Sequence, residues 1–534
     1  MTEGVGGSFF LVKALICETD GFILPDIIRT GGPFTGGQTT LMAVANHTES
    51  DEERIAQARE QVRQRPDDPE ALRHLAGILY LADRIEEAIP QLEKAVELAQ
   101  GAVDYELALA DVYFDALRPK DAAKLYEGLL SKVEGPRRGR VEMNLELARS
   151  EVSFFDAIYE PLGKLDDTNP EKSLLDGSLV LLQGRLTDAM HAYEKALASP
   201  ATVRAAQENI AFLWSAGKEM PVEGRLVSHL LDARKGGEPS ARFLLYLADA
   251  YTASRLHEKA RDVLIAALKA NPRYLPAYDQ AGTFLRQLNI LGEGMGDAFR
   301  KAVNGIIDGL PQRIAALARR RFVGSKAAHN QAAATRAAKE LLASSDESDR
   351  LNGLLEAVEV LTPSEVLSLI ADKPPAKDPV ALLVLTRLRL RTAGLDRAIE
   401  TILDTLKTYP LKAEVAYAAS YFLGLRRRYV TAHRMIEAAE NGEGVTPELL
   451  LEAGLVFVEA GEYDEALKLA EDKEGPEAMV VGARARMRSG REDEAVMELE
   501  HAWEETGSDI VKRELAATYF RVGRDEDAID LLSK

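Results

Sequence analysis

A chain of 534 residues, 46% apolar and 28% charged, can fold as several domains or as one long array. Its formal charge of −20 opposes broad affinity for nucleic acid or anionic membrane, since both reward positive proteins. Cys17 is the single cysteine, which excludes an internal disulfide and suits a reducing, cytoplasmic setting.

The chain opens on an apolar run, Phe9 to Cys17, that lacks the marks of an export signal. Glu3 stands where a basic region belongs, Lys13 interrupts the run, and Ile16 is too large to precede a lipidated cysteine. No other stretch approaches the ~20 apolar residues of a membrane-spanning helix. Next comes Gly32-Pro33-Phe34-Thr35-Gly36-Gly37-Gln38-Thr39, which fits phosphate-loop spacing with Gln38 in the lysine position. A phosphate loop joins a sheet strand to a helix, and its lysine reaches the outer phosphate oxygens. Neither the lysine nor a following series of strand-helix units is present, so no nucleotide cofactor is expected.

Two readings of residues 1–48 stay open. They form a loose extension with a short strand near residues 22–28, or translation starts at Met42, where a polar lead enters the first helix. The second is preferred; with a start at Met42 in a bacterial gene, the codons of Gly36-Gly37 would fall where a purine-rich ribosome-binding sequence belongs.

From about Ser50 onward one pattern repeats. The segments at 86, 187, 258 and 396 share a small residue followed four places later by a large one, and anchoring on that small residue gives Ala88, Ala122, Ala157, Ala189, Ala260, Ala398, Ala432, Ala466, Ala495 and Ala528. Their gaps are 34, 35, 32, 71, 138, 34, 34, 29 and 33 residues, so the two long gaps are near two and four units. An upstream half, as in Leu72-x-x-Leu75-Ala76-x-x-Leu79 and Leu244-x-x-Leu247-Ala248-x-x-Tyr251, has the stripe of an amphipathic helix. Short polar turns follow: Gln183-Gly184-Arg185, Ala216-Gly217-Lys218, Ala460-Gly461-Glu462 and Val522-Gly523-Arg524. Pro66, Pro272 and Pro410 close three units, each ending one helix and pre-setting the backbone for the next.

This pattern closely resembles the tetratricopeptide repeat, a helix-turn-helix unit of 34 residues, over the last ~480 residues. In the unit from Ala241 to Pro272, Leu244, Leu247, Ala248, Tyr251, Ala260, Leu264, Ala267 and Pro272 fall on the signature positions. Alanine where two helices cross lets their backbones approach. The resemblance implies an all-α, right-handed solenoid of about thirteen units. Between Pro200 and Ser240 the anchor is lost, although Trp214 keeps the aromatic position and Gly217 to Pro221 reads as a turn. From Asn304 to Lys377 only helical composition survives, and "DKPPAKDP" at 372 is a break. The expected organisation is an extension over 1–48, an N-terminal array over 49–304, a divergent and distorted segment over 305–377, and a C-terminal array over 378–534.

No local signature marks an acyl-transfer triad, a carboxylate pair or a metal site. The eight histidines, at 47, 74, 191, 229, 257, 329, 433 and 501, form no H-x-x-H or H-x-x-x-H pair. No catalytic residue, cofactor or metal is expected. In the resembled family ligands lie on the concave surface of the first helices. Those positions here are Arg387, Arg391, Tyr417, Tyr421, Leu451, Leu455, Arg484, Arg488, Arg513 and Arg521 in the C-terminal arm, and Arg73, Tyr80, Asp104, Asp111, Asp115 and Asp249 in the N-terminal arm.

Such a groove suits an acidic, partly apolar peptide or helix, with arginine forks on carboxylates and aromatic floor positions. The competing reading pairs these arginines with acidic neighbours on adjacent helices. The basic cluster Arg313, Arg319, Arg320, Arg321, Lys326, Arg336 and Lys339 makes no single stripe and has few aromatics, so it reads as a solvated or structural face rather than a nucleic-acid site. The lysine and asparagine clamp of chaperone-binding repeats is not met, since the first repeat offers Arg73 and Gly77.

The last unit reaches Lys534 with no polar capping helix, which predicts end-to-end self-association, or a partner stacked there, through partly exposed Leu531 and Leu532. The expected function is a non-catalytic scaffold or adaptor that binds other proteins, with neither nucleic acid nor membrane as partner. A peptide-responsive regulatory sensor is one alternative. An enzyme with an unrecognised site between 304 and 377 is the other.

Overall fold

The computed structural model describes residues 51–82, 84–216, 240–253, 255–291, 295–323, 331–371, 378–440 and 446–533. The apolar N-terminal run, the glycine-rich stretch, Met42, the turn at Gly217 to Pro221, the Trp214 side chain, Lys326 and residues 372–377 lie outside the described set.

The described residues divide into two compact units, which meet in sequence between Asp156 and Ala157. The boundaries read from the sequence near 304 and 377 fall inside the second unit. The first unit holds α1 (Asp51–Gln64), α2 (Pro69–Leu81), α3 (Ile85–Leu98), α4 (Val103–Asp115), α5 (Pro119–Leu129) and most of α6 (Pro136–Leu162). The second continues with α7 (Glu171–Leu182), α8 (Leu186–Ala196), α9 (Val203–Ala216), α10 (Ala241–Ala253), α11 (His257–Ala270), α12 (Pro276–Leu291), α13 (Met295–Asp308) and α14 (Gln312–Val323). It goes on through α15 (Gln331–Leu342), α16 (Glu347–Val360), α17 (Pro363–Ile370), α18 (Pro379–Thr408), α19 (Ala413–Glu440), α20 (Pro447–Glu459), α21 (Tyr463–Glu471), α22 (Pro476–Arg488), α23 (Glu492–Thr506), α24 (Asp509–Arg521) and α25 (Asp525–Ser533). All 25 elements among the described residues are helices, and most pair in helix-turn-helix units.

Local chemistry sets the helix ends. Asp68, Asp346, Thr362, Asp378 and Thr446 each accept a backbone N–H of the first turn they precede, and four of these caps are followed by proline at the first helical position. Where a second helix starts after an arginine, that arginine pairs with an acid three residues on: Arg84 with Glu87, Arg118 with Asp121, Arg185 with Asp188 and Arg524 with Asp527. Pro66, Pro272 and Pro410 lie in the loops that close α1, α11 and α18.

All ten anchor alanines are buried, eight of them with 0% exposure. Ala157 and Ala432 are the exceptions at 7% each. These two sit in α6 and α19, which run on as single long helices where the repeat calls for a turn. A long unbroken helix cannot fold back on itself, so its anchor loses the close crossing that buries the others; α18 breaks at Gly394 (φ 76°, ψ −177°), and its anchor Ala398 stays fully buried.

In and just before the divergent segment, glycines on first helices let neighbouring helices approach closely. A Cβ on Gly353 of α16 would meet Leu342 N of α15 at 2.6 Å, and one on Gly282 of α12 would run into the Phe322 carbonyl of α14. The core there is completed by Phe284, Phe299 and Phe322, whose rings stack edge to face.

Candidate protein-binding surfaces

In the first unit the first helices of neighbouring repeats are linked by polar pairs. Tyr80 on α2 donates to Asp115 on α4 at 2.7 Å, and Arg137 and Arg140 on α6 reach Asp104 and Asp111 on α4 at 3.0 and 2.6 Å. Asp111 also accepts from Tyr126 and Asn144. Burial holds its carboxyl above the usual range, although Arg140 and these hydrogen bonds oppose the shift. Arg73 folds back onto Glu70, which also accepts from Tyr105.

The C-terminal positions follow the same logic. Arg484 on α22 makes a two-pronged pair with Glu514 on α24 at 2.8 and 2.6 Å. Tyr421 on α19 donates to Glu459 on α20 at 2.9 Å. Leu451 and Leu455 are partly buried on α20, and Leu451 packs against the apolar clusters on both sides of it. Arg387, Arg391 and Arg488 are half-buried, while Arg513 and Arg521 are exposed on α24. Arg513 donates to the Asp509 carbonyl of its own helix. At the last helix Leu531 is buried, and Ile529 and Leu532 are exposed.

The arginines at 313 and 319–321 all meet carboxylates. Arg313 pairs with Glu340 and Arg319 with Asp308, while Arg320 and Arg321 converge on Glu356. Arg321 also holds Asp279 and Glu359, so one buried guanidinium joins α12, α14 and α16. Here the structural face is what the side chains form.

Tyr417 lies somewhere the repeat pattern does not place it. Its ring meets Phe212 of α9 edge to face at 5.7 Å, and Phe212 in turn meets Tyr246 of α10 at 6.1 Å. Around them the segment from Leu411 to Tyr417 is fastened to helices about 200 residues earlier. Asn209 on α9 donates to the Leu411 carbonyl at 2.8 Å and accepts the Ala413 N–H at 3.0 Å. Lys412 pairs with Glu208 at 2.6 Å, and Ser240 donates to the other oxygen of that carboxylate at 2.7 Å. Arg242 on α10 spans Glu414 at 3.1 Å and Asp378, the cap of α18, at 3.0 Å. Helix α7 packs along α19 beside this clasp.

Burial pushes the Glu208 carboxyl up, but the Lys412 ammonium and the hydrogen bonds from Lys412 and Ser240 win, holding it below its ordinary value. A second clasp repeats the design. Asn352 on α16 donates to the Arg273 carbonyl at 2.5 Å and accepts the Leu275 N–H at 3.2 Å, while Arg273 pairs with Asp349 at 2.8 Å. Both asparagines grip the first and third residues after a repeat-closing proline, Pro410 or Pro272. The sequence reading passed over Asn209, Asn352, Glu208 and Arg242. The available signal was an asparagine inside an otherwise apolar helical stripe, "ENIAFL" and "LNGLLE".

Stacked helix-turn-helix units with alanine crossings define a helical-repeat protein. Residues 52–103 match the tetratricopeptide repeat family model. The chain carries a tetratricopeptide repeat there, and its other helical pairs have the same helix-turn-helix form. It is 25% identical over 199 residues to human tetratricopeptide repeat protein 34, an alignment covering 37% of this chain and 33% of that protein. The chain thus spans about a third of the length of the curated relative it matches. Among solved structures it is similar to yeast Tom70, at 13% identity and a TM-score of 0.23, covering 91% of this chain and 96% of that one. It is also similar to a structure of Naa15/Naa10 bound to HypK-THB, at 15% identity and a TM-score of 0.24, covering 89% and 77%. Among the described residues no helix is long and apolar enough to cross a membrane, and no group of metal-ligating side chains comes together.

Proposed function

We propose that the chain is a non-catalytic scaffold or adaptor that binds other proteins through the first-helix face of its C-terminal repeats, α18 to α24. The supporting observation is the pair of exposed arginines, Arg513 and Arg521, two helical turns apart on α24 beside Arg484 and Arg488 of α22. Guanidinium forks at this spacing suit the carboxylates of an acidic peptide or helix, while Leu451 and Leu455 supply an apolar floor. Glu514 holds Arg484 in a two-pronged pair that fixes the plane of its guanidinium. The test is Arg488→Glu combined with Arg513→Glu in the full chain, followed by affinity capture from the native cell and quantitation of each captured protein. Capture of acidic partners should fall at least about tenfold. An unchanged set of partners would sink the proposal.

A further inference from the structure

We propose that the segment from Leu411 to Tyr417 is an internal ligand, and that the face of α9 and α10 beneath it is a second binding surface. Its partner is a helix start bearing Lys-x-Glu-x-x-Tyr in the order of Lys412, Glu414 and Tyr417. This surface is separate from the C-terminal arginine face, and it stands or falls independently of it.

Every contact in the clasp reads a different feature of the segment. Asn209 reads backbone alone, the C=O before and the N–H after one residue. Glu208 requires a cation on the residue between them. Arg242 requires a carboxylate at the next position, and the Phe212 ring takes an aromatic edge one turn into the helix. Asn209 has 0% exposure, and Glu208 and Arg242 are largely covered. Buried amide and charged groups left without partners are strongly unfavourable, so this surface must always be occupied. Only a segment offering the same features in the same order can replace the chain's own. The asparagine grip at Arg273 to Leu275 shows that the fold uses this backbone reading twice. The second grip lacks the flanking Arg242 and Phe212 pairings, so the order-specific recognition belongs to the first alone.

Being tethered, the chain's own segment acts at an effective concentration on the order of millimolar. A competitor therefore gains access when one cis contact is weakened. The probe is a blocked, fluorescein-labelled peptide with the sequence of residues 409–420, titrated into the full chain and read by anisotropy. Lys412→Ala removes one cis ion pair and leaves the surface intact, so the peptide should bind that variant about tenfold tighter than the wild-type chain. Adding Glu208→Lys should abolish this binding and restore it for a peptide carrying Lys412→Glu. Equal affinity for wild type and Lys412→Ala, or binding that survives Glu208→Lys, overturns the proposal. A second measurement needs no variant. Millimolar peptide should raise hydrogen exchange at the Ala413 amide of the wild-type chain while the Lys412→Glu peptide does not, and unchanged exchange with both overturns it.

Discussion

Five places before an anchor alanine the backbone turns through the left-handed region. Gly184, Gly461, Gly490 and Gly523 do so with φ of 76°, 75°, 85° and 79°, whereas Leu117 and Arg255 occupy the same place at 64° and 57°. That conformation costs a residue with a Cβ about 1 kcal/mol. Arg255 is exposed. Arg255→Gly should therefore stabilise the protein by about 0.5 kcal/mol after the extra chain entropy of glycine is counted, seen as a higher urea midpoint. A lower midpoint would show that the Arg255 side chain contributes more than its backbone loses. Gly461→Ala should act the other way and more strongly. It combines the unfavourable φ with a Cβ that collides with the Leu390 carbonyl, for a loss of at least about 2 kcal/mol in the same measurement.

At the scale of elements, two helices ignore the turn, and only one does so for a reason visible in its own residues. In α6 the turn position falls on Val152, whose β-branched side chain makes the left-handed region especially unfavourable. In α19 it falls on Arg427, no worse than Arg255, so local chemistry leaves the turn open. What differs is tertiary: α19 is packed on α7 and α9 as well as on its sequence neighbours. Helices α12, α14 and α16 are joined through Arg321, whose partner Glu356 has 0% exposure. Arg321→Met would leave that carboxylate with Arg320 alone, and a loss of about 3 kcal/mol is expected. Hydrogen exchange along α16 should accelerate, and adding Glu356→Gln should recover part of the protection. Unchanged exchange in the single variant would show that packing, rather than the ion cluster, holds these helices.

At the scale of the molecule, the second unit is not a simple string of nearest-neighbour contacts. The clasp ties residues 208–246 to 378–417, across about six repeats. Glu208 faces Lys412 and Arg242, with Ser240 donating to it, and its carboxyl is held below the ordinary value. A depressed carboxyl stabilises the fold above its unfolded pKa, and that contribution disappears as pH falls through the folded value. The clasp should therefore loosen below about pH 4, seen as faster proteolysis or exchange near Ala413 while the helices of the first unit stay protected. Uniform loss in both units at the same pH would count against a local role for Glu208.

The 34-residue period determined the all-α repeat fold by itself, because burial at a helix crossing demands a small residue in phase and the chain supplies it ten times. The same logic made the first-helix positions legible, down to the list of arginines and tyrosines. Which of those side chains face a partner was not legible. Arg484 meets Glu514 and Tyr417 meets Phe212 through contacts 30 and about 200 residues apart, and such distances leave no trace in a local pattern. The tertiary structure alone decided that Arg321 is buried, that α19 runs straight, and that two asparagines hold post-proline loops from distant repeats. Local periodicity reports which face of a helix is apolar; only the folded chain sets which other face it meets.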